Sequence, residues 1–212
     1  EVEHRNVVAF LEAMRREPGY APTDVLLAVT TLAFDIAGLE LWLPLTVGGR
    51  VVIASRTDVL DGERLVGLIE QHGVTVMQAT PATWRLMLDT GWTGRRDLKA
   101  LCGGEALPRD LAAALAERVG ELWNMYGPTE TTIWSTVSRI DDATAPITIG
   151  HPILNTRVYM LERSGLPAPI GVPGELCIGG DGVARGYHDR PELTADKLLP
   201  ITLPNGRVEC VY

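Results

Sequence analysis

An α/β fold, with a parallel sheet flanked by helices and followed by the start of a smaller β-barrel-like subdomain, is the class that these 212 residues predict. From about residue 7 to residue 140, short apolar, β-branched runs alternate with amphipathic stretches, the pattern of βαβ units. After about residue 141 Gly and Pro become frequent, and the runs 157–161 and 175–178 alternate or are β-branched, as strands of a second, all-β subdomain do. The expected division is an α/β part over 1–146 and a partial β part over 147–212.

Taken in order, residues 25–29 and 50–54 read as strands, separated by an apolar helical segment over 36–45. Residues 61–72 carry Leu65, Leu68 and Ile69 at helical spacing, with Gly73 as a stop signal. The stretch 74–78 is a β-branched, buried strand, and Pro81 opens a helix through Trp84, Leu86 and Met87. Residues 98–102 form the next strand, Pro108 begins a helix bearing Leu111, Ala114 and Leu115, and residues 121–125 form a strand that runs into a polar loop. There are no internal repeats or low-complexity tracts.

With 46% hydrophobic residues the chain can bury a core, and 27 acidic residues against 19 basic ones exclude the clustered positive charge of a nucleic-acid binder. The doublets Arg15-Arg16 and Arg95-Arg96 read as solvated helix or loop surface. No apolar run reaches the ~20 residues of a membrane span, so a cytoplasmic protein with no membrane or nucleic-acid partner is expected. Cys102, Cys177 and Cys210 are far apart, and His4, His72, His151 and His188 are scattered. The cysteines read as reduced structural thiols, and no histidine is given a catalytic role.

Ligands of an open parallel sheet bind at the carboxyl ends of its strands, where loops converge and helix N-termini offer free N–H groups. Three loops fit. Cys102-Gly-Gly-Glu105 carries two glycines that permit close approach to a flat ligand. Asn124-Met-Tyr-Gly-Pro-Thr-Glu130 combines an amide, an aromatic face, a turn, a hydroxyl and a carboxylate, more than a turn requires. Phe34-Asp35 follows the first strand, and Asp35 also suits the N-cap of the helix behind it.

These segments resemble the core motifs of adenylation domains of nonribosomal peptide synthetases, in the superfamily of AMP-forming, adenylate-forming enzymes. The resemblance is carried by Asn-Met-Tyr-Gly-Pro-Thr-Glu at 124–130, Gly-Glu-Leu-Cys-Ile-Gly-Gly-Asp-Gly-Val-Ala-Arg-Gly-Tyr at 174–187 and Arg-Pro-Glu-Leu-Thr-Ala-Asp-Lys at 190–197. Phe34-Asp35, Gly-Gly-Glu-Ala-Leu-Pro at 103–108 and Val-Glu-His-Arg-Asn-Val at 2–7 match further segments in order. The Gly-rich run 179–186 lacks GxGxxG spacing and reads as a loop of the β subdomain.

The resemblance implies an ATP-dependent ligase that joins an amino acid to AMP, releases pyrophosphate, and passes the acyl group to the phosphopantetheine thiol of a carrier protein. It implies ATP and Mg²⁺ as cofactors, and peptidyl carrier and condensation domains of the same assembly line as partners. By the same resemblance Tyr126 lies against adenine, Asn124 bonds its exocyclic amine, and Gly103, Gly104, Glu105, Met125 and Gly127 surround the nucleotide. Thr129 contacts the α-phosphate and Glu130 holds Mg²⁺, so both are assigned to catalysis. Asp35 pairs with the substrate ammonium, and Phe34, Ile36, Leu39, Gln78, Leu101, Gly103, Met125, Ile133 and Trp134 complete a pocket resembling the signature associated with glycine.

The sequence opens without an initiator Met and closes at Cys-Val-Tyr, so an internal piece of a longer enzyme, inactive alone, is expected. The family's phosphate loop would precede residue 1, and its ribose-binding aspartate and lysine-bearing C-terminal domain would follow residue 212. Two alternatives stand beside this reading: an acyl- or aryl-CoA ligase of the superfamily, against which Asp35 weighs, and a catalytically silent nucleotide-binding or interaction module, against which Thr129 and Glu130 weigh.

Overall fold

The computed structural model describes residues 1–203 and 206–212. Its contacts fall into two compact units, each discontinuous in sequence: Met14–Tyr126 with Thr136–His151, and Glu1–Ala13 with Gly127–Ser135 and Pro152–Tyr212. The grouping thus differs from a cut at 146/147, because residues 1–13 and 127–135 belong with the β-rich part.

The α/β unit is built on the strands β1 (Val25–Ala28), β2 (Arg50–Ile53), β3 (Val76–Ala79), β4 (Arg95–Gly103), β5 (Val119–Tyr126), β6 (Thr136–Arg139) and β7 (His151–Pro152). Their order in the sheet is β2-β1-β3-β4-β5-β6-β7. The first five run parallel, in registers such as Leu27 with Val52 and Gln78 with Leu101, and β6 returns antiparallel to β5. All four residues of β1 and of β3 are buried, as parallel strands covered on both faces must be. The helices α2 (Ala37–Val47), α3 (Arg56–Val59), α4 (Gly62–His72), α5 (Pro81–Asp89) and α6 (Arg109–Ala116) connect the strands. A shared core of Leu27, Leu65, Ile69, Met77, Trp84, Met87, Leu98, Leu111 and Leu115 lies between sheet and helices.

One helix shows how directly the sequence sets its own ends. Asp61 caps α4 by accepting from Glu63 N at 3.0 Å and Arg64 N at 3.2 Å. Gly73 ends it in the left-handed region at φ +61°, donating its N–H to Ile69 O. Gly62, the first helical residue, lets the backbone pass close to α5: a Cβ there would lie 2.3 Å from Leu86 O.

The second unit contains α1 up to Ala13 (the helix is His4–Met14), α7 (Pro191–Lys197) and a sheet of β8 (Thr156–Leu161), β9 (Glu175–Gly180), β10 (Leu199–Thr202) and β11 (Val208–Val211). That sheet has the antiparallel order β10-β11-β9-β8 and a small core of Leu161, Cys177, Ile201 and Val211. Buried Asn6 fastens α1 to this unit by donating to Asp181 O at 2.7 Å and Val183 O at 3.1 Å.

The doublet Arg95-Arg96 is a correction. It opens β4 rather than a loop, because Arg95 finds charge partners beside the strand, bonding Asp97 Oδ1 at 2.6 Å and lying 3.4 Å from Glu70. Arg15 and Arg16 are exposed in the irregular turn after α1. No helix among the described residues is long and apolar enough to cross a membrane.

Asp61→Ala is expected to lower stability by about 1 kcal/mol, the usual cost of a lost N-cap, and Asp61→Ser to recover most of it. Urea unfolding checks this: a shifted midpoint at unchanged slope is expected.

Candidate active site

Polar groups expected of a site lie at the carboxyl ends of β1, β3, β4 and β5, beginning with the loop after β1. Residues 31–34 are exposed, Asp35 is half-buried, and Ile36 is buried. The N-cap of α2 falls on Ile36, which has no capping side chain, and not on Asp35. Its leading N–H groups are met by backbone instead, Ala37 N to Phe34 O at 3.1 Å and Gly38 N to Asp35 O at 2.8 Å, so the cap position moves one residue on.

Beneath this loop sits a group that residue patterning missed. Glu40 has no exposed surface. Its Oε2 accepts from Val29 N and Thr30 N, each at 2.9 Å, and its Oε1 accepts from Thr30 Oγ1 at 2.6 Å and Gln78 Nε2 at 2.9 Å. Burial pushes the Glu40 carboxyl up from the ordinary carboxylate range, and these hydrogen bonds pull it back. Gln78, fully buried, also donates Nε2 to Ile36 O at 2.9 Å. The signal was present: Glu40 is the lone ionisable residue in Ala37–Val47.

An open cleft of about 630 Å³ lies over the ends of β1 and β3, lined by Thr30, Thr31, Phe34, Ile36, Ala79 and Thr80 among others. Of the expected substrate-contacting residues, Phe34 and Ile36 line it; Leu39, Leu101 and Met125 are buried in this unit. At the end of β4, Gly104 adopts φ +83°, and a Cβ there would lie 3.5 Å from Thr80 Cγ2 and 3.8 Å from Phe34 Cζ. The strand end Gly103 is buried, whereas Gly104 and Glu105 are exposed. On β5, Asn124 is nearly buried and donates Nδ2 to Thr148 O at 2.8 Å, which leaves the amide oxygen as the atom able to accept from an amine. Tyr126 is 39% exposed, enough to offer a ring face.

The β-rich unit holds the rest of the loop that leaves β5. Gly127–Ser135 is wound so tightly that a Cβ on Gly127 would lie 2.6 Å from Ile133 O, Ser135 N and Trp134 Cα. Thr132 and Ile133 take positive φ, +66° and +71°, and Thr131 Oγ1 meets Ser135 Oγ at 2.6 Å inside the turn. Ile133 and Trp134 are buried, while Thr129 is exposed and Glu130 half-buried. Tyr187 donates its hydroxyl to Glu130 Oε1, and Ala184 N donates to Glu130 O at 2.8 Å. That bond holds the Tyr187 phenol above its ordinary range. Tyr187 closes the Gly-rich motif of the sequence, where it had no assigned role.

A family model described as AMP-binding enzyme matches residues 1–188. The chain belongs to the AMP-binding enzyme family. Within that family it is 42% identical, over 199 residues, to a dimodular nonribosomal peptide synthase of Bacillus subtilis (strain 168), covering 93% of the chain and 8% of that protein. A PKS-NRPS hybrid synthetase of Aspergillus niger is 41% identical over 201 residues, covering 94% of the chain and 11% of that protein. Among solved structures, holo-AB3403, a four-domain nonribosomal peptide synthetase bound to AMP and glycine, superposes with a TM-score of 0.92 at 46% identity, covering 100% of the chain and 16% of its own. The N-terminal subdomain of NpsA from Klebsiella oxytoca, in complex with 3-hydroxybenzoyl-AMSN, gives a TM-score of 0.88 at 25% identity, covering 100% of the chain and 55% of its own. The chain therefore spans a small part of the synthetases it matches, and its α/β sheet with a separate antiparallel sheet is the adenylation-domain architecture.

The environment of Cys102 disfavours its thiolate. The thiol is buried at the end of β4, and desolvation, then the nearby Glu105 charge, pushes it up to about 12. At pH 8 a thiol at about 12 is thiolate on the order of one part in 10⁴. Brief iodoacetamide treatment at pH 8 is expected to modify exposed Cys210 while sparing buried Cys102, as peptide mass mapping would read.

Proposed function

We propose that this chain is part of an adenylation domain that activates an α-amino acid as its aminoacyl-adenylate with ATP, in the cytoplasm, for transfer to the phosphopantetheine thiol of a carrier protein. The likeness that carries the reading is the 46% identity and 0.92 TM-score to a synthetase bound to AMP and glycine. Peptidyl carrier and condensation domains of the same assembly line are the proposed partners.

The substrate carboxylate is already a nucleophile, so the protein's work is to position it against the α-phosphorus and to stabilise charge as pyrophosphate leaves. Tyr126 offers its exposed face to the adenine, and Asn124, its Nδ2 engaged by Thr148 O, turns its oxygen to the exocyclic amine. Gly103, Gly104 and Glu105 pass backbone beside the base, with Met125 and Gly127 setting the strand end, and Thr129 contacts the α-phosphate.

Glu130 fits Mg²⁺, which is ordinarily held by one or two carboxylates plus substrate phosphates and not by a cage of protein ligands. Among the described residues no cluster of three or more His, Cys, Asp or Glu stands ready as such a cage. Mg²⁺ would neutralise phosphate charge there; Tyr187, bonded to Glu130 Oε1, fixes the carboxylate's orientation.

Asp35 is the counter-charge of the substrate ammonium. In a partly desolvated site a substrate without the amine would forgo that ion pair, which favours an amino acid over an aryl or fatty acid. Asp35→Ala in the complete domain is expected to cut amino-acid-dependent pyrophosphate exchange by at least ~100-fold. Exchange at the wild-type level would remove Asp35 from the site.

Glycine is the proposed substrate, with alanine its nearest competitor. Met125 in the α/β unit and Trp134 in the β-rich unit are each only 2% exposed, so each side chain's volume is fixed by the packing of its own unit. Overpacking such a site costs ~1–3 kcal/mol or more, which excludes larger side chains. A substrate panel on the complete domain is expected to give glycine the leading signal, and Trp134→Ser to shift preference toward larger amino acids. A leading signal from leucine, phenylalanine or a charged amino acid would refute the assignment.

A further inference from the structure

We propose that Glu40 is a positioning residue for substrate recognition: its buried carboxylate fixes both ends of the loop that carries Asp35, and so sets where the ammonium is received. The inference rests on the reading that Asp35 receives that ammonium, and it adds a residue that contacts no substrate.

The geometry is that of a clamp. Four hydrogen bonds converge on the two oxygens of Glu40, from Val29 N, Thr30 N, Thr30 Oγ1 and Gln78 Nε2. Val29 and Thr30 are where the chain leaves β1, so the start of the loop is held. Gln78 Nε2 donates at once to Glu40 Oε1 and to Ile36 O, so the carbonyl of the residue that follows Asp35 is tied to the same carboxylate through one amide. Between these ties residues 31–34 are exposed.

A packing role does not account for the side chain. Leu39 and Leu43 are buried on the same helix, and an apolar residue at 40 would avoid the cost of burying a carboxylate. It would also strand the N–H groups of Val29 and Thr30, buried or nearly so at the loop's root. All four partners donate, which matches an acceptor-only, ionised carboxylate with four lone-pair sites.

Glu40→Gln puts an amide N–H₂ against groups that themselves donate, at nearly constant shape. In the complete adenylation domain its KM for the amino acid is expected to rise at least ~tenfold while the KM for ATP stays within about twofold, since misplacing a positioning group by about 1 Å is costly to one substrate alone. Thr30→Val removes a single donor and is expected to raise the amino-acid KM about threefold, which keeps the test open where Glu40→Gln does not fold. An unchanged amino-acid KM, or parallel rises for amino acid and ATP, would overturn the proposal. Should the wild-type domain show no amino-acid-dependent exchange, it is the Asp35 reading that fails. Hydrogen exchange of residues 31–36 without substrate then decides the clamp: faster exchange in either variant supports it, and wild-type protection overturns it.

Discussion

A carboxylate with no contact with water must be met on every side by donors, and this requirement organises the end of β1 in the α/β unit. Glu40 takes two backbone N–H groups, one hydroxyl and one amide, from residues as far apart in sequence as Val29 and Gln78. Each of these groups would be a burial penalty alone; together they offset one another, and the compensation holds only in one arrangement. The position of β1 beside β3, the first turn of α2 and the route of the loop between them are therefore coupled. A side-chain network of this kind costs more than an apolar core of equal size and gives a loop a defined place in return.

The loop after β5 is fixed by a different means. Gly127 has no room for a Cβ, and Thr132 and Ile133 accept a backbone region that β-branched residues rarely enter. Such a conformation persists because the hydroxyl pair Thr131–Ser135 and the burial of Ile133 and Trp134 over-determine it. Strain at Ile133 is thus held by shape, whereas strain in the loop after β1 is avoided by charge and hydrogen bonding. Both devices leave exposed residues, Thr129 in one loop and Thr31 to Phe34 in the other, on a backbone tied down close by.

Much of this was legible in the residues, for identifiable reasons. The strand β1 is a continuous apolar run, and β3 is one apart from Gln78, because both faces are covered, and α4 announces itself by Asp61 and Gly73, whose cap geometry is local. Asp35 misled as a helix cap because residue type alone does not say which N–H groups the backbone has already met. The charged opening of β4 was hidden because Arg95 and Asp97 satisfy each other across the strand, so polarity there is no sign of a loop. Glu40 escaped because helical periodicity counts apolar positions and treats a single charge as noise. Its meaning depends on Val29, Thr30 and Gln78, which only the folded sheet brings together. The contact grouping of residues 1–13 and 127–135 with the β-rich part is likewise a long-range fact that no local pattern carries.

Selectivity in such a site divides between two kinds of interaction with different ceilings. An apolar wall discriminates by volume, and one methylene is worth only about 1–3 kcal/mol. A buried charge discriminates by whether it is matched, and a mismatch costs more, because the group cannot regain its solvation. In the α/β unit the apolar residues Leu39, Leu101 and Met125 are buried by the unit's own packing, so their shape is a fixed quantity. Asp35, half-buried, lies between the ties at Thr30 and Ile36, and in the proposed site it is the carboxylate that would tell an ammonium from its absence. The larger discrimination therefore depends on the smaller number of atoms, and the rigidity of the loop that carries them matters more than the size of the walls.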